Sequence, residues 1–218
     1  MKREPFRVVA KLRGPMMRPP HGIHLDALLM ARVAVMECRD PIDWVGRTER
    51  EDPEIPIAMS ECGRIYLASR SQFEVEARER QFVNRRFPMA EAQSIGAMSI
   101  KRIDVSAGDS KGWRFNIELV HATRDEVVWY ALGDMGRTRE ILESVSNLGP
   151  KRSVGRGNVD SWDVSPIEPW EGFPVLRDGV PLRPLPLDWA GVTCQRRGLA
   201  VLKPPYFERW REEACALW

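Results

Sequence analysis

The feature that most limits what this chain can fold into is a hydrophobic period that switches between two and 3.6 in a fixed order. Trp113 to Ala122 alternates, with Trp113, Phe115, Ile117 and Leu119 on one side and Arg114, Asn116 and Glu118 on the other. That period of two predicts a half-buried strand. Arg124-Asp125 predicts a tight turn into Glu126–Leu132, the second strand of a hairpin. Upstream, Phe6 to Leu12 has strand composition, and in His24–Met36 the residues Leu25, Leu28, Leu29, Val33 and Met36 fall at helical spacing. This helix is nearly all apolar and is expected to lie buried against a sheet. Downstream, Arg137–Leu148 puts Ile141, Leu142, Val145 and Leu148 on one stripe, and Val159 to Ile167 is a further strand.

Strand, helix, strand, strand, helix, strand is the order of an α+β core of the ferredoxin-like, RRM-like β-α-β-β-α-β type. Its helices cover one face of an antiparallel sheet and leave the other available. We expect this domain to span residues 1–168, with a long insertion at 37–112 after the first helix. Within the insertion, residues 40–54 are expected as a loop, and Ile55–Met59 with Arg64–Ala68 as a short hairpin. Ser99–Val105 is expected as a strand and residues 107–112 as a turn. Residues 169–218 form a C-terminal extension, a hairpin turning at Asp178-Gly179 plus a terminal helix. Phe207, Trp210, Ala214 and Leu217 lie on one face of that helix, expected to pack on or beside the core or to cover a partner-binding surface.

Composition narrows the function. The chain has 218 residues and a net charge of only +2, so a surface for nucleic acid must come from local segregation of arginine. The cysteines, Cys38, Cys62, Cys194 and Cys215, have neither Cys-x-x-Cys nor zinc spacing and are expected as buried thiols. No apolar leader core or bilayer-length stretch occurs, so a cytoplasmic protein is expected, without cofactor, metal or membrane contact.

Two stretches concentrate positive charge. Leu148 to Val159 carries Gly149, Gly155 and Gly157, with Lys151, Arg152 and Arg156 between them and Ser153 and Asn158 as hydrogen-bonding side chains. Such a loop can bring backbone N–H groups and Arg forks to phosphate. It is not a P-loop or a Rossmann turn, because its glycines follow a helix and no Gly-Lys-Ser/Thr is present. Glu76 to Pro88 interleaves Arg78, Arg80, Arg85 and Arg86 with Phe82 and Phe87. Two readings stay open for it: a solvated helix face with internal Glu–Arg pairs, or an arm that grips phosphates and stacks bases. The aromatic signature of an RNA-binding RRM sheet is absent.

A glycine-rich, basic loop between the second helix and last strand of an RRM-like fold resembles the RAMP superfamily of CRISPR proteins. Phe6-Arg7-Val8-Val9-Ala10, His24-Leu25-Asp26-Ala27-Leu28-Leu29 and Leu202-Lys203-Pro204-Pro205-Tyr206 resemble the small RAMP subunit of type IV CRISPR complexes. The resemblance implies a non-catalytic subunit that caps the five-prime handle of the crRNA. It implies a backbone filament subunit and a large-subunit-like protein as neighbours, and it leaves target DNA open as a further partner. It implies that Lys151, Arg152 and Arg156 neutralise handle phosphates, that Gly149, Gly155 and Gly157 permit close approach, and that Arg78, Arg80, Arg85 and Arg86 grip the handle or target DNA.

Two other functions compete. Related RAMP proteins cleave precursor crRNA by acid–base chemistry at the ribose 2′-hydroxyl. Here only His21, His24 and His121 offer an imidazole, and His24 is the alternative catalytic residue. Tyr66 could assist, and Asp160 with Asp163 is the nearest approach to a metal pair. The second competitor is an RNA-binding scaffold protein outside CRISPR.

Overall fold

The computed structural model describes residues 3–17, 19, 21–37, 53–85, 113–150, 155–193 and 196–218. The loop expected at residues 40–54, up to residue 52, the strand expected at 99–105 and the turn at 107–112 lie outside them. The elements are β1 (Glu4–Leu12), β2 (Met16–Met17), α1 (Leu25–Met36), β3 (Val75–Arg85), β4 (Trp113–Ala122), β5 (Glu126–Gly133), α2 (Met135–Glu143), β6 (Val159–Pro166), β7 (Leu176–Arg177), β8 (Val180–Pro181), β9 (Leu185–Pro186), β10 (Arg197–Ala200) and β11 (Glu213–Ala216). The protein is mixed α+β, built on small antiparallel sheets with two helices among the described residues.

The central sheet has the order β5-β1-β6. Phe6 pairs with Ala131 on one side and Pro166 on the other, and Val8 pairs with Trp129 and Val164. Alternation in β1 sends Phe6, Val8, Ala10 and Leu12 into one buried cluster. Leu25, Leu29 and Met30 of α1 and Ile141 and Leu142 of α2 meet them there, so both helices cover this one face. α2 starts at Met135 because the Asp134 carboxylate accepts a hydrogen bond from the Arg137 N–H at 2.9 Å. It stops at Glu143, short of the expected Leu148, although Val145 and Leu148 remain buried.

Residues 56–72 follow the other edge of β5. Ala58 and Asp134 donate to Leu132 and Pro56 oxygens at 2.8 and 2.9 Å, Ser69 donates to Tyr130 at 2.9 Å, and Gln72 exchanges two backbone bonds with Val128. The hairpin expected at 55–68 is present as single bridges, with Met59 opposite Tyr66. Ile55, Ile57 and Ala68 belong to the central core, so this part of the long insertion is integral to it.

Two expectations fail here. β4 and β5 form as strands, but they do not make a hairpin with each other. A short 3-10 turn at Thr123–Asp125 redirects the chain, and β4 enters a second sheet of order β2-β4-β3. The edges each strand would have offered the other are already taken, β4 by β2 and β3, and β5 by β1 and residues 56–72. The terminal helix is also absent. Glu213–Ala216 is a strand paired with β10 and β9, and Cys215 and Ala216 are buried by that pairing. The hairpin at Asp178-Gly179 is present, with both residues at positive φ (51° and 75°), as a two-residue turn requires.

Candidate nucleic-acid interface

The glycine loop is pinned at its base. Leu148 donates to the Gly157 oxygen at 2.8 Å and Val159 to the Ser146 oxygen at 2.9 Å. Arg13 and Gly157 then tie this ladder to the start of the chain, donating to Asn158 and Pro15 oxygens at 2.9 and 3.2 Å. The Asn147 side-chain amide donates to the Arg156 oxygen at 3.3 Å and to the Asn158 side chain. Gly149, Gly155 and Gly157 all take positive φ, at 74°, 73° and 64°. What approaches two of them is the chain itself. A Cβ on Gly157 would lie 2.1 Å from the Leu148 oxygen, and one on Gly149 would lie 2.7 Å from the Met17 oxygen. Gly155 faces open space. These glycines therefore set the shape of the loop base, and only Gly155 offers backbone to a ligand.

The loop leads to the other arginine-rich stretch. The Glu76–Pro88 segment is a strand through Arg85, and the helix-face reading falls. Nine of its residues, Ala77 to Arg85, pair with β4, which satisfies the backbone that a helix would have satisfied internally. Arg156 donates from Nη2 to the Gln81 side-chain oxygen of β3, while its Nε is buried without a partner among the described residues. Gln81 stands opposite Ile117, on the face of the ribbon that turns inward. Arg80 and Phe82 alternate to the other face, where both are exposed, Phe82 by 56%. Arg78 shares that face and is partly neutralised by Glu118 at 2.7 Å. Arg80 makes no ion pair among the described residues. Thus the loop and the arginine strip meet at one edge strand, from its two faces. Lys151, Arg152, Ser153 and Arg86 lie outside the described residues, as does the Arg85 side chain.

His24 sits elsewhere, in a buried polar hub. Its ring stacks on Tyr206, with centroids 4.2 Å apart, and only 7% of the residue is exposed. Burial, then the charges of Arg183, Arg70 and His21, hold its pKa well below the ordinary histidine value. A proton acceptor at this place is sealed from solvent and neutral. The Tyr206 hydroxyl donates to Asp26 at 2.8 Å. Arg183, with no exposed surface, donates to Asp26 at 3.1 Å, to Tyr66, Ala68 and Leu202 oxygens at 2.6, 3.0 and 2.5 Å, and to the Tyr206 oxygen at 2.7 Å. Burial pulls the guanidinium's pKa down, but Tyr206 and Asp26 more than offset it and leave the pKa raised. Burial likewise pushes the Tyr206 hydroxyl well above its ordinary value.

Sequence reasoning had no place for Arg183. Its one signal was a lone charge in the run Pro181-Leu182-Arg183-Pro184-Leu185-Pro186, which needs a carboxylate partner only because the fold buries it. Asp26, the one charge in the first turns of an apolar helix, was the matching signal. The hub also unites the segments around His24-Leu25-Asp26 and Pro205-Tyr206, which stand 180 residues apart from Asp26 to Tyr206.

The remaining candidates separate. Asp160 is bound by Arg13 at 2.7 Å, and Asp163 accepts from the Ser165 hydroxyl at 3.3 Å, so each carboxylate has its own partner. Asp160 falls at the irregularity of the β1–β6 ladder, between Val159 and Ser161, whereas Asp163 is in regular register opposite Val9. His121 lies 3.7 Å from Glu79 on the ribbon. Among the described residues no helix is long and apolar enough to cross a membrane. No protein-family model matches the chain, and no curated protein matches it.

Proposed function

We propose that this chain is a non-catalytic crRNA-binding subunit that caps the five-prime handle of a type IV CRISPR ribonucleoprotein in the cytoplasm. The observation that carries the proposal is the junction of Arg156 with Gln81. Through it, a rigidly based glycine loop abuts a strand whose outer face carries Arg78, Arg80 and Phe82. Cations beside an exposed ring and a backbone free at Gly155 suit a single-stranded, phosphate-rich ligand held by shape and charge.

A ferredoxin-like frame fits the strand order. β6-β1-β5 with residues 56–72 on the outer edge of β5 places a central first strand between the third and last, and both helices cover one face. The fourth position is filled by residues 56–72 in place of β4. In this reading the backbone filament subunit and the large-subunit-like protein are the neighbours, and the filament pairs the guide with DNA. The sealed, neutral His24 favours this over a ribonuclease, since a general base must reach its proton within hydrogen-bond distance. The test is to co-express the tagged protein with a CRISPR array and its partner subunits and to sequence the RNA that co-purifies. Recovery of one mature crRNA with a defined five-prime handle is the expected result. RNA without repeat sequence, or none, contradicts the proposal.

A further inference from the structure

We infer that the turn at Phe207–Arg211 is a second contact for single-stranded nucleic acid, in which a base stacks on Trp210 and the adjoining phosphates meet Arg209 and Lys203. Trp210 is 82% exposed and Phe207 60%. Apolar rings of this size normally find cover in folding, and here Trp210 is approached by the Arg211 guanidinium, 5.9 Å from its ring centroid. The turn is tightly bonded: Arg211 donates to the Glu208 oxygen at 2.9 Å, Glu212 to the Arg209 oxygen at 3.0 Å, and the Arg211 side chain to the Pro204 oxygen at 3.3 Å. It is anchored on one side by Tyr206 in the buried hub and on the other by β11. Trp210 is therefore presented rigidly, and little conformational freedom remains to be lost when a ligand covers it.

The charge around the turn selects the ligand. Glu208 is paired with Arg211 at 3.1 Å, and Glu213 with Arg64. Among the acidic residues of 203–213 that leaves Glu212, against Lys203 and Arg209, neither of which makes an ion pair among the described residues. A shallow groove of about 250 Å³ beside the turn carries Lys203, Arg211 and Arg64 on its wall together with Glu213, whose carboxylate is paired with Arg64. A surplus of unpaired cations next to an open ring suits a polyanion with exposed π-faces better than a neutral protein surface. In a duplex those faces are already stacked, so the strand is single. The inference rests on the nucleic-acid reading above only for the class of ligand, since it uses different residues.

The test titrates the full chain with ten-nucleotide oligo(U) and oligo(dT) and follows tryptophan fluorescence. The chain holds eight tryptophans, so the difference between wild type and Trp210→Phe isolates the one at issue. A quench present in wild type and lost in Trp210→Phe is expected. Trp210→Ala should weaken binding about tenfold or more. Arg209→Gln should lower the salt slope by about 0.7, one phosphate on a single strand. Circular dichroism of each variant should stay native, because the ring is exposed. A failure of the glycine-loop assignment alone leaves the Trp210 quench in place. Undiminished affinity in Trp210→Ala, or an equal quench in Trp210→Phe, overturns the inference.

Discussion

The hub around Arg183 and the interface around Arg156 are both built from arginine and hydrogen-bond acceptors, and they use their donors in opposite ways. Arg183 directs both terminal nitrogens inward, to three carbonyl oxygens, a carboxylate and a phenol, with no surface left for a ligand. Arg156 uses one terminal nitrogen on Gln81 and is only part-buried, and its neighbour across the ribbon, Arg80, is exposed; the Nε of Arg156 and that of Arg183 are both buried without a partner among the described residues, so the contrast lies in the terminal nitrogens. A closed polar cluster fixes one arrangement of the chain, here the C-terminal extension on α1. A part-exposed one leaves terminal donors facing solvent, where the proposed RNA would meet them. On the proposed function, burial of charge marks structure in the first region, and partial exposure of charge marks recognition in the second.

The contrast can be broken in order of expected effect. Arg183→Ala leaves Asp26 buried without its cation and should cost about 3–5 kcal/mol in urea unfolding. Asp26→Leu with Arg183→Met removes both charges and should recover much of that loss, which a double-mutant cycle reads directly. Gly157→Ala must displace the Leu148 oxygen and strain a positive φ, for about 3 kcal/mol. Gly155→Ala meets open space and should cost only about 1 kcal/mol.

A smaller effect follows from His24. Its folded pKa is depressed, so below about pH 6.5 the unfolded chain takes up a proton that the folded chain refuses. Stability should therefore fall as pH drops from about 6.5 towards the folded value, by up to about 1.4 kcal/mol per pH unit. His24→Phe keeps the stack on Tyr206 and should flatten that slope. The smallest effect belongs to the ribbon surface, where Arg78→Ala loses an exposed ion pair with Glu118 and should shift stability by under about 1 kcal/mol.

Local pattern made much of this legible. The alternation of Phe6–Leu12, the apolar stripe of His24–Met36 and the turn at Asp178-Gly179 each need only a few neighbouring residues, and each formed close to its expected bounds. So did the positive φ of Gly149, Gly155 and Gly157, although two of the three serve the chain's own backbone. Partnership was not legible. Phe207, Trp210, Ala214 and Leu217 have helical spacing, yet residues 213–216 take their bonds from strands far along the chain. β4 and β5 each have the right period, and only the whole sheet decides that they lie apart. The hub joins Asp26, Arg183 and Tyr206 across separations of 157 and 180 residues, beyond any local signal.

The most direct test of the division between closed hub and open interface is a paired measurement on Lys151→Glu/Arg152→Glu/Arg156→Glu. It combines the amount of crRNA that co-purifies from cells with an array and the urea midpoint of the RNA-free protein. The account predicts loss of crRNA, at least tenfold, with a midpoint close to wild type. Full crRNA occupancy at an unchanged midpoint would contradict it.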